Sequence, residues 1–264
     1  MFYCIDKCPY SKQHQELRLA SALAITDAGI PCMVWAEDAL AFIHLVPTAL
    51  FCLQVIVPDD QLIAAATAVQ ATLPYFKTDT LPRRPLPFVT MSTYPQSIAL
   101  AYSRPVDSLP DNTPQLVWIH PQSFFKLDIR DPSLAAAHPS TLPQRCSALR
   151  FPSRTAFMDT LLTALTHPPT GEINYGSLRS FSIWLAYIAQ YYLRSENMCL
   201  EDGQLKPEAE ALVWTVKEEN RAVLNDYMGG PPRTSWVKEE ETKSTVQSQT
   251  RYVFDVQPPM LMND

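Results

Sequence analysis

Apolar and polar residues in the first quarter of the chain repeat with the periods of short helices and strands. A helical apolar face is followed by Gly29, a residue typical of the position after a helix. Two continuous apolar runs come next, as expected for strands buried on both faces. An acidic side chain, Asp59 or Asp60, is a favourable N-cap for the helix after the second run. The pattern predicts helices over 11–28, 39–45 and 61–72, and strands over 32–35 and 50–57.

The middle of the chain is rich in proline and carries shorter apolar runs. Proline interrupts both helices and central strands, so the proline-rich stretches are interpreted as connections. We predict loops over 73–95 and 131–144, and strands over 97–102, 115–120, 124–129 and 147–151.

The last part of the chain changes to helical periodicity. Trp184, Tyr187, Ile188 and Tyr191 form an aromatic stripe with helical spacing, which is more typical of packing than of a ligand site. The residues after 230 are polar and charged, and we expect a largely flexible tail there. The pattern predicts helices over 155–166, 177–194 and 206–227.

This order of elements predicts an α/β fold with an α+β tendency, built on a small mixed sheet with a C-terminal helical cap. We expect an α/β core over 1–152, the helical cap over 153–230 and the tail over 231–264. A chain of 264 residues is long enough to bury such a core.

Composition narrows the function classes. The formal net charge of -6 argues against general nucleic-acid binding, which needs an excess of Lys and Arg to neutralise phosphates. With only 6 glycines, the chain contains neither of the glycine-rich motifs that hold nucleotide phosphates. Its 6 cysteines are scattered, which favours reduced thiols over a disulfide framework. Cys4, Cys8 and His14 could supply three zinc ligands, but no fourth is nearby, so a metal site is not expected.

One long apolar stretch raises the question of a membrane span. Residues 39–57 contain no Asp, Glu, Lys or Arg, but Pro47 interrupts them and the second half favours a strand. We therefore predict a helix, a turn and a buried strand, and no membrane span. The first ten residues include Asp6 and Lys7 and lack the apolar region of a signal peptide. A soluble, intracellular, cytoplasmic protein is expected.

The segment 29–60 carries a distinctive pair of motifs. It contains W-A-E-D-A-L at 35–40 and ends its second strand with V-P-D-D at 57–60. This resembles the nucleotidyltransferase-like proteins common in filamentous fungi, whose pattern is a strand ending in W-G-E-D-A-L, a short helix, and a strand of the form F-D-L-D-L-V-V-P-D. More distant relatives are the minimal nucleotidyltransferases of the polymerase-β type. The resemblance extends from the first helix through the helix after Asp60.

In the family that the segment resembles, the catalytic site needs residues that this chain replaces. Two Mg²⁺ ions in such a core are held by an Asp-x-Asp pair on the second strand, where alternate residues share a face. The matching residues here are Cys52 and Gln54, which are not hard anionic ligands. The family's glycine before the Glu-Asp pair is Ala36, whose methyl group would crowd a phosphate. The resemblance therefore implies a nucleotidyltransferase-like core without its activity, and hence a pseudoenzyme that binds a ligand or a protein partner and needs no cofactor.

Two alternatives stay open. In the first, the chain is an active nucleotidyltransferase or phosphotransferase with relocated carboxylates, for which Glu37, Asp38 and Asp128 are the candidates. Mg²⁺ and a nucleotide bound near Ala36 and Glu37 are expected only in that case. In the second, the chain is an unrelated α/β protein and the match is accidental. A structure without a strand–helix–strand unit at 32–57 would establish this alternative.

Other polar residues are assigned structural roles. His44 lies on an apolar helix and is interpreted as a core histidine with one hydrogen bond. Arg83 and Arg84 are expected in an exposed basic loop. No serine is framed by G-x-S-x-G, so the sequence does not favour a hydrolase.

Overall fold

We analysed a computed structural model of the chain, which describes residues 10–80, 94, 96–103, 113–168, 175–193, 198–200 and 204–228. The helices are α1 (Lys12–Asp27), α2 (Ala36–Phe42), α3 (Leu62–Thr72), α4 (Gln122–Phe125), α5 (Arg154–Thr166), α6 (Tyr175–Ile188), α7 (Pro207–Thr215) and α8 (Glu218–Met228). The strands are β1 (Met33–Trp35), β2 (Leu53–Val57), β3 (Tyr75–Lys77), β4 (Ile98–Tyr102) and β5 (Leu116–Pro121). Shorter 3₁₀ turns cover Asp59–Gln61, Pro132–Leu134 and Gln144–Ala148, and a π-helical turn, Ala189–Leu193, continues α6.

The five strands form one mixed sheet in the order β1-β2-β5-β4-β3. Strands β2 and β5 at its centre are parallel, with Gln54 beside Trp118, and the other neighbouring pairs are antiparallel. Every residue of β2 and β5 is buried, as expected for central strands covered on both faces. The α/β fold class is therefore confirmed.

Helices cover the sheet and share its core. Helices α1 and α3 contact each other, and α3 also contacts β3, β4 and β5. Helix α5 contacts α6, α7 and α8, and α6 reaches α2. Trp35 of β1, Trp118 of β5 and Trp184 of α6 are fully buried in the same apolar cluster. One apolar cluster thus includes both the sheet and the C-terminal helices. The domain boundary between residues 152 and 153 stays a prediction.

Local signals place several elements where the sequence predicts them. The Ser11 side chain accepts a hydrogen bond from the His14 backbone N–H and caps α1. Gly29 follows the helix with a φ of 76°, in the left-handed region that favours glycine. The apolar stretch 39–57 is the end of α2, a connection and β2, as predicted. None of the helices in the described ranges is long and apolar enough to cross a membrane.

The structure corrects four predicted elements. The predicted strand 124–129 is instead helix α4 followed by a turn at Lys126. The predicted strand 147–151 is a 3₁₀ turn followed by a single bridge between Arg150 and Met33. The predicted loop 73–95 contains β3, and the predicted helix 206–227 is two helices.

Long-range hydrogen bonds explain two of these corrections. The Asp59 side chain accepts a hydrogen bond from the Ser123 backbone N–H at 3.0 Å, which caps the N-terminus of α4. The Asp159 side chain accepts one from the Lys217 backbone N–H and one from the Asn220 side chain, both at 3.0 Å. These hydrogen bonds stabilise the non-helical junction between α7 and α8. Both acceptors are more than fifty residues from their donors in sequence, so no local pattern indicates them.

Candidate functional site

The most polar part of the interior lies around β2. Strand β2 contains Gln54, and Cys52 immediately precedes the strand; both are almost fully buried. Alternate residues of a strand share a face, so Cys52 and Gln54 project to the same side of the sheet. Polar side chains linked to this face directly or through one another form what we call the Gln54 cluster: Arg18, Glu37, Asp38, Cys52, Gln54, Tyr94, Ser97, His120 and Trp184.

A chain of hydrogen bonds crosses the sheet from Cys52 to Ser97. The Gln54 amide nitrogen lies 3.8 Å from Cys52 Sγ, and its oxygen lies 3.1 Å from His120 Nε2. Since an amide oxygen only accepts, Nε2 of His120 carries the proton and Nδ1 accepts from the Ser97 hydroxyl at 2.7 Å. Cys52, Gln54, His120 and Ser97 are thus joined by hydrogen bonds in which every group is uncharged.

The pair of Ser97 and His120 is a poor nucleophile and base. His120 has no solvent exposure, and this burial lowers its pKa to about 3. A general base works best with a pKa near the operating pH, so this imidazole is too weak to activate a hydroxyl at neutral pH. The arrangement is a structural hydrogen-bond chain and does not support a hydrolase.

Asp38 is held in a buried ion pair with Arg18 of α1. Arg18 Nε lies 2.8 Å from Asp38 Oδ1 and Nη2 lies 2.9 Å from Oδ2, which is the bidentate geometry of strong arginine–carboxylate pairs. Nη1 donates to the Phe51 carbonyl oxygen at 2.8 Å, directly before Cys52. All three guanidinium nitrogens are therefore engaged, and the pair ties α1 to α2 and to the start of β2.

Glu37 is the neighbouring carboxyl group and lies in a different environment. Its Oε1 accepts a hydrogen bond from Trp184 Nε1 of α6 at 3.0 Å, while its buried Oε2 has no hydrogen-bond partner. Burial raises the pKa of Glu37 to about 7, and the hydrogen bond from Trp184 opposes this rise only in part. Glu37 therefore takes up a proton close to neutral pH.

Cys52 and Tyr94 complete an interior that disfavours negative charge. Burial, and then the nearby Glu37, raises the pKa of the Cys52 thiol far above its ordinary value, so the thiol stays protonated. Burial also raises the pKa of Tyr94, whose hydroxyl lies near Ser180 and Gln54 but makes no hydrogen bond of good geometry. Cys52 is thus neutral, like Gln54 beside it on the same face of the sheet.

Ala36 adopts a backbone conformation that favours glycine. Its φ is 59°, in the left-handed region, and its side chain is fully buried at the junction of β1 and α2. A residue with a Cβ atom pays roughly 1–2 kcal/mol in that region. The junction of β1 and α2 is therefore a turn of the kind that favours glycine, although the residue is alanine.

The other predicted candidates are placed as follows. Asp128 is exposed in the turn after α4, where its side chain accepts from the Arg130 backbone N–H, so it does not join Glu37 and Asp38 within the core. His44 is buried as predicted, and its Nε2 has no hydrogen-bond partner. Cys4, Cys8, Arg83 and Arg84 lie outside the described residues. The described ranges contain no group of three or more His, Cys, Asp or Glu side chains placed to hold a metal ion.

Five members of the cluster are not identified as site residues from the sequence, and three of them determine the chemistry of the others: Arg18, His120 and Trp184. His120 lies in the apolar sequence of a predicted strand. Arg18 lies in a helix that the sequence analysis identifies by its apolar residues. Trp184 belongs to the aromatic stripe, where it is buried as predicted but also donates to Glu37. The only indication of Arg18 is indirect. If the two acidic residues after β1 are buried, a cation from elsewhere in the chain has to neutralise at least one of them.

Replacing His120 with glutamine is expected to reduce the loss of stability in acid. The folded-state pKa of His120, about 3, lies below its unfolded value of 6.5, so its contribution is present above pH 6.5 and is lost as pH falls. Between pH 7.5 and pH 5 the wild type should lose about 2 kcal/mol through this group. Chemical denaturation at both pH values measures the difference. His138→Gln, at an exposed position, is the control, and an unchanged difference in His120→Gln would contradict the assignment.

Comparison of the chain with protein-family models, with curated proteins and with solved structures gives no match. A proposal of function therefore rests on the resemblance in the segment 29–60 and on the geometry of the Gln54 cluster.

Proposed function

We propose that this chain is a non-catalytic, nucleotidyltransferase-like protein that serves as a ligand-binding or interaction module. The observation that carries the proposal is that the positions of the family's metal-binding pair, Cys52 and Gln54, are buried and neutral. Mg²⁺ requires oxygen ligands, usually with at least one carboxylate, and these side chains offer a thiol and one amide oxygen already bound by His120.

The neighbouring carboxyl groups do not replace the missing pair. Asp38 uses both oxygens on Arg18, whose guanidinium supplies the positive charge that a metal ion would supply. Glu37 uses one oxygen on Trp184, and burial favours its neutral form up to about pH 7. Two-metal catalysis depends on carboxylates that are free to bind the ions, and these two are committed to the fold.

Two further features support a nucleotidyltransferase-like origin. The segment 32–57 forms the strand–helix–strand unit β1-α2-β2 that the resemblance requires. Ala36 takes the left-handed conformation at the position where the family has glycine. Under this proposal the scaffold and its turn are retained, and the metal chemistry is lost.

Thermal stability with nucleotides tests the proposal. The purified protein is melted with each nucleoside triphosphate, with and without Mg²⁺, at constant ionic strength. A ligand at about 100 times its Kd stabilises the folded state by about 2.7 kcal/mol, which is readily measured as a shift in Tm. We expect no Mg²⁺-dependent shift, whether or not a nucleotide binds alone.

A restored pair provides the matched comparison. In the double variant Cys52→Asp, Gln54→Asp, two carboxylates return to the same face of β2, so a Mg²⁺-dependent shift in this variant alone would locate the lost function at these positions. A Mg²⁺-dependent shift in the wild type, together with turnover of a nucleotide, would overturn the proposal and favour relocated carboxylates.

A further inference from the structure

Glu37 joins α2 to the C-terminal helices through a side-chain hydrogen bond. Its Oε1 accepts from Trp184 Nε1 of α6 at 3.0 Å, although the two residues lie 147 positions apart in sequence. Helices α2 and α6 also contact each other directly. Beside this bond α6 packs through apolar rings, since the ring centre of Phe181 lies 5.7 Å from that of Trp184 and 5.9 Å from that of Phe125. The Glu37 carboxyl group is therefore a polar group enclosed in the contact between α2 and α6.

One oxygen of this carboxyl group is enclosed without a partner. Glu37 Oε2 accepts no hydrogen bond, and neither ion pair among the described residues includes Glu37. The guanidinium of Arg18 is already bound to Asp38 and to the Phe51 carbonyl oxygen. A buried carboxylate without a cation or a full set of donors is costly, so the closed contact between α2 and α6 favours protonated Glu37. Burial accordingly raises the pKa of Glu37 to about 7.

Of the two helices in this contact, α2 is the one that is fixed in place. Every residue of α2 is buried, and the helix follows β1 directly. Asp38, next to Glu37, ties α2 to Arg18 of α1 with two hydrogen bonds. Helix α6 contributes the indole N–H of Trp184 to Glu37. A negative charge on Glu37 is therefore expected to be relieved by movement of α6 rather than of α2.

The charged and titratable groups that face Glu37 keep their charge between pH 5 and pH 8. They come from α1, α2, the start of β2, position 94 and α6: Arg18, Asp38, Cys52, Tyr94 and Tyr187. The arginine stays charged in its pair with the aspartate. Burial keeps the pKa of the thiol and of both tyrosines above this range. Within this group, the residue that changes its charge near neutral pH is thus Glu37.

We propose that Glu37 is a pH-dependent latch, in which loss of the Glu37 proton favours an opening of α6 away from α2. In the open form the carboxyl group reaches water and ionises as an ordinary glutamate does. The pKa of Glu37 is thus about 7 in the closed form and close to its ordinary value of 4.5 in the open form. Because opening releases a proton between these two values, the open population rises about tenfold per pH unit in this window and levels off above pH 7. The latch goes beyond the proposed function, since it requires neither a nucleotide nor a metal ion.

Hydrogen exchange of the intact chain tests the latch. Exchange is followed by mass spectrometry at pH 5, 6, 7 and 8, and the rates are corrected for the intrinsic pH dependence of amide exchange. The open population reported by the amides of α6 is expected to rise roughly 70-fold from pH 5 to pH 8. Amides of the central strand β5 need a larger opening, so they should exchange more slowly than those of α6 at pH 8. Equal exchange in α6 and β5 at every pH would mean that α6 opens only when the whole protein unfolds, and would overturn the inference.

Three variants assign the effect to the Glu37 carboxyl group. Glu37→Gln keeps an oxygen for Trp184 Nε1 and cannot ionise, so the corrected exchange of α6 should no longer depend on pH. Trp184→Phe keeps an aromatic ring but removes the hydrogen bond that holds down the pKa of Glu37, so exchange of α6 should continue to rise above pH 7. Glu219→Gln removes an exposed negative charge on α8 and should behave as the wild type does. A wild-type pH dependence of α6 exchange in Glu37→Gln would also overturn the inference.

Discussion

Replacing Asp38 with asparagine is expected to lower the free energy of unfolding by about 3–5 kcal/mol. Asparagine has nearly the same shape, but the change removes the negative charge and replaces one of the two acceptor oxygens with an NH₂ donor that faces the Arg18 guanidinium. Arg18 would then keep its charge at 3% exposure with only the Phe51 carbonyl as a fully matched acceptor. The cost is that of a buried, uncompensated charge, which exceeds the net worth of the intact pair. Urea denaturation monitored by circular dichroism measures it.

A surface pair in the same chain serves as the matched control. Arg130 and Asp60 approach to 3.8 Å with exposed side chains, and exposed pairs of this kind contribute about 0–1 kcal/mol. Asp60→Asn should therefore leave the unfolding free energy nearly unchanged. The double variant Arg18→Met, Asp38→Leu should recover most of the stability lost in Asp38→Asn, because it removes both charges together. A loss below 1 kcal/mol in Asp38→Asn would show that the pair is not buried as described.

The sequence predicts those parts of the fold whose signals are local. Ser11 and Gly29 bound α1 because capping depends on residues next to the helix ends. Strand β2 is found because its apolar run is continuous and ends at a proline. The apolar stretch 39–57 is correctly predicted as a helix, a connection and a strand, because Pro47 marks the break within it.

The errors arise where distant residues decide the local structure. The residues of α4 are apolar and aromatic enough to suggest a strand, and the cap that makes them helical comes from Asp59 on another element. The break before α8 depends in the same way on Asp159, which binds the Lys217 backbone and Asn220. Tertiary contacts routinely override propensity, and single-sequence patterns do not contain them.

The residues of the candidate site also fall into two groups, those that a local motif identifies and those that come from distant elements. The W-A-E-D-A-L motif identifies Glu37 and Asp38, and the strand motif that ends in V-P-D-D identifies Cys52 and Gln54. The fold brings all four into one buried cluster. The partners that determine their chemistry, Arg18, His120 and Trp184, come from α1, β5 and α6. Two adjacent acidic residues thus receive opposite environments: Asp38 is paired with a cation, and Glu37 receives a single neutral donor. Sequence position alone gives no reason to separate them.

Replacing Glu37 with glutamine is expected to remove a loss of stability that the wild type suffers at high pH. The folded-state pKa of Glu37, about 7, lies above its ordinary value of 4.5, so its contribution is fully present below pH 4.5 and is lost as pH rises through 7. Between pH 5 and pH 8 this amounts to about 2–3 kcal/mol. Glutamine keeps an oxygen for Trp184 Nε1 and carries no charge, so the variant should be at least as stable as the wild type at pH 8.

Unfolding free energies of the wild type and Glu37→Gln at pH 5 and pH 8 measure this contribution. Glu219→Gln, at an exposed position of α8, controls for the loss of one negative charge and should keep the pH dependence of the wild type. Because buried His120 and His44 lose stability in acid while Glu37 loses it in base, the wild type should be most stable between these limits, and Glu37→Gln should extend the stable range upward only. Equal pH dependence in Glu37→Gln and the wild type would mean that Glu37 ionises freely. In that case its carboxylate would be available to a metal ion, and the argument for a non-catalytic core would rest on Cys52 and Gln54 alone.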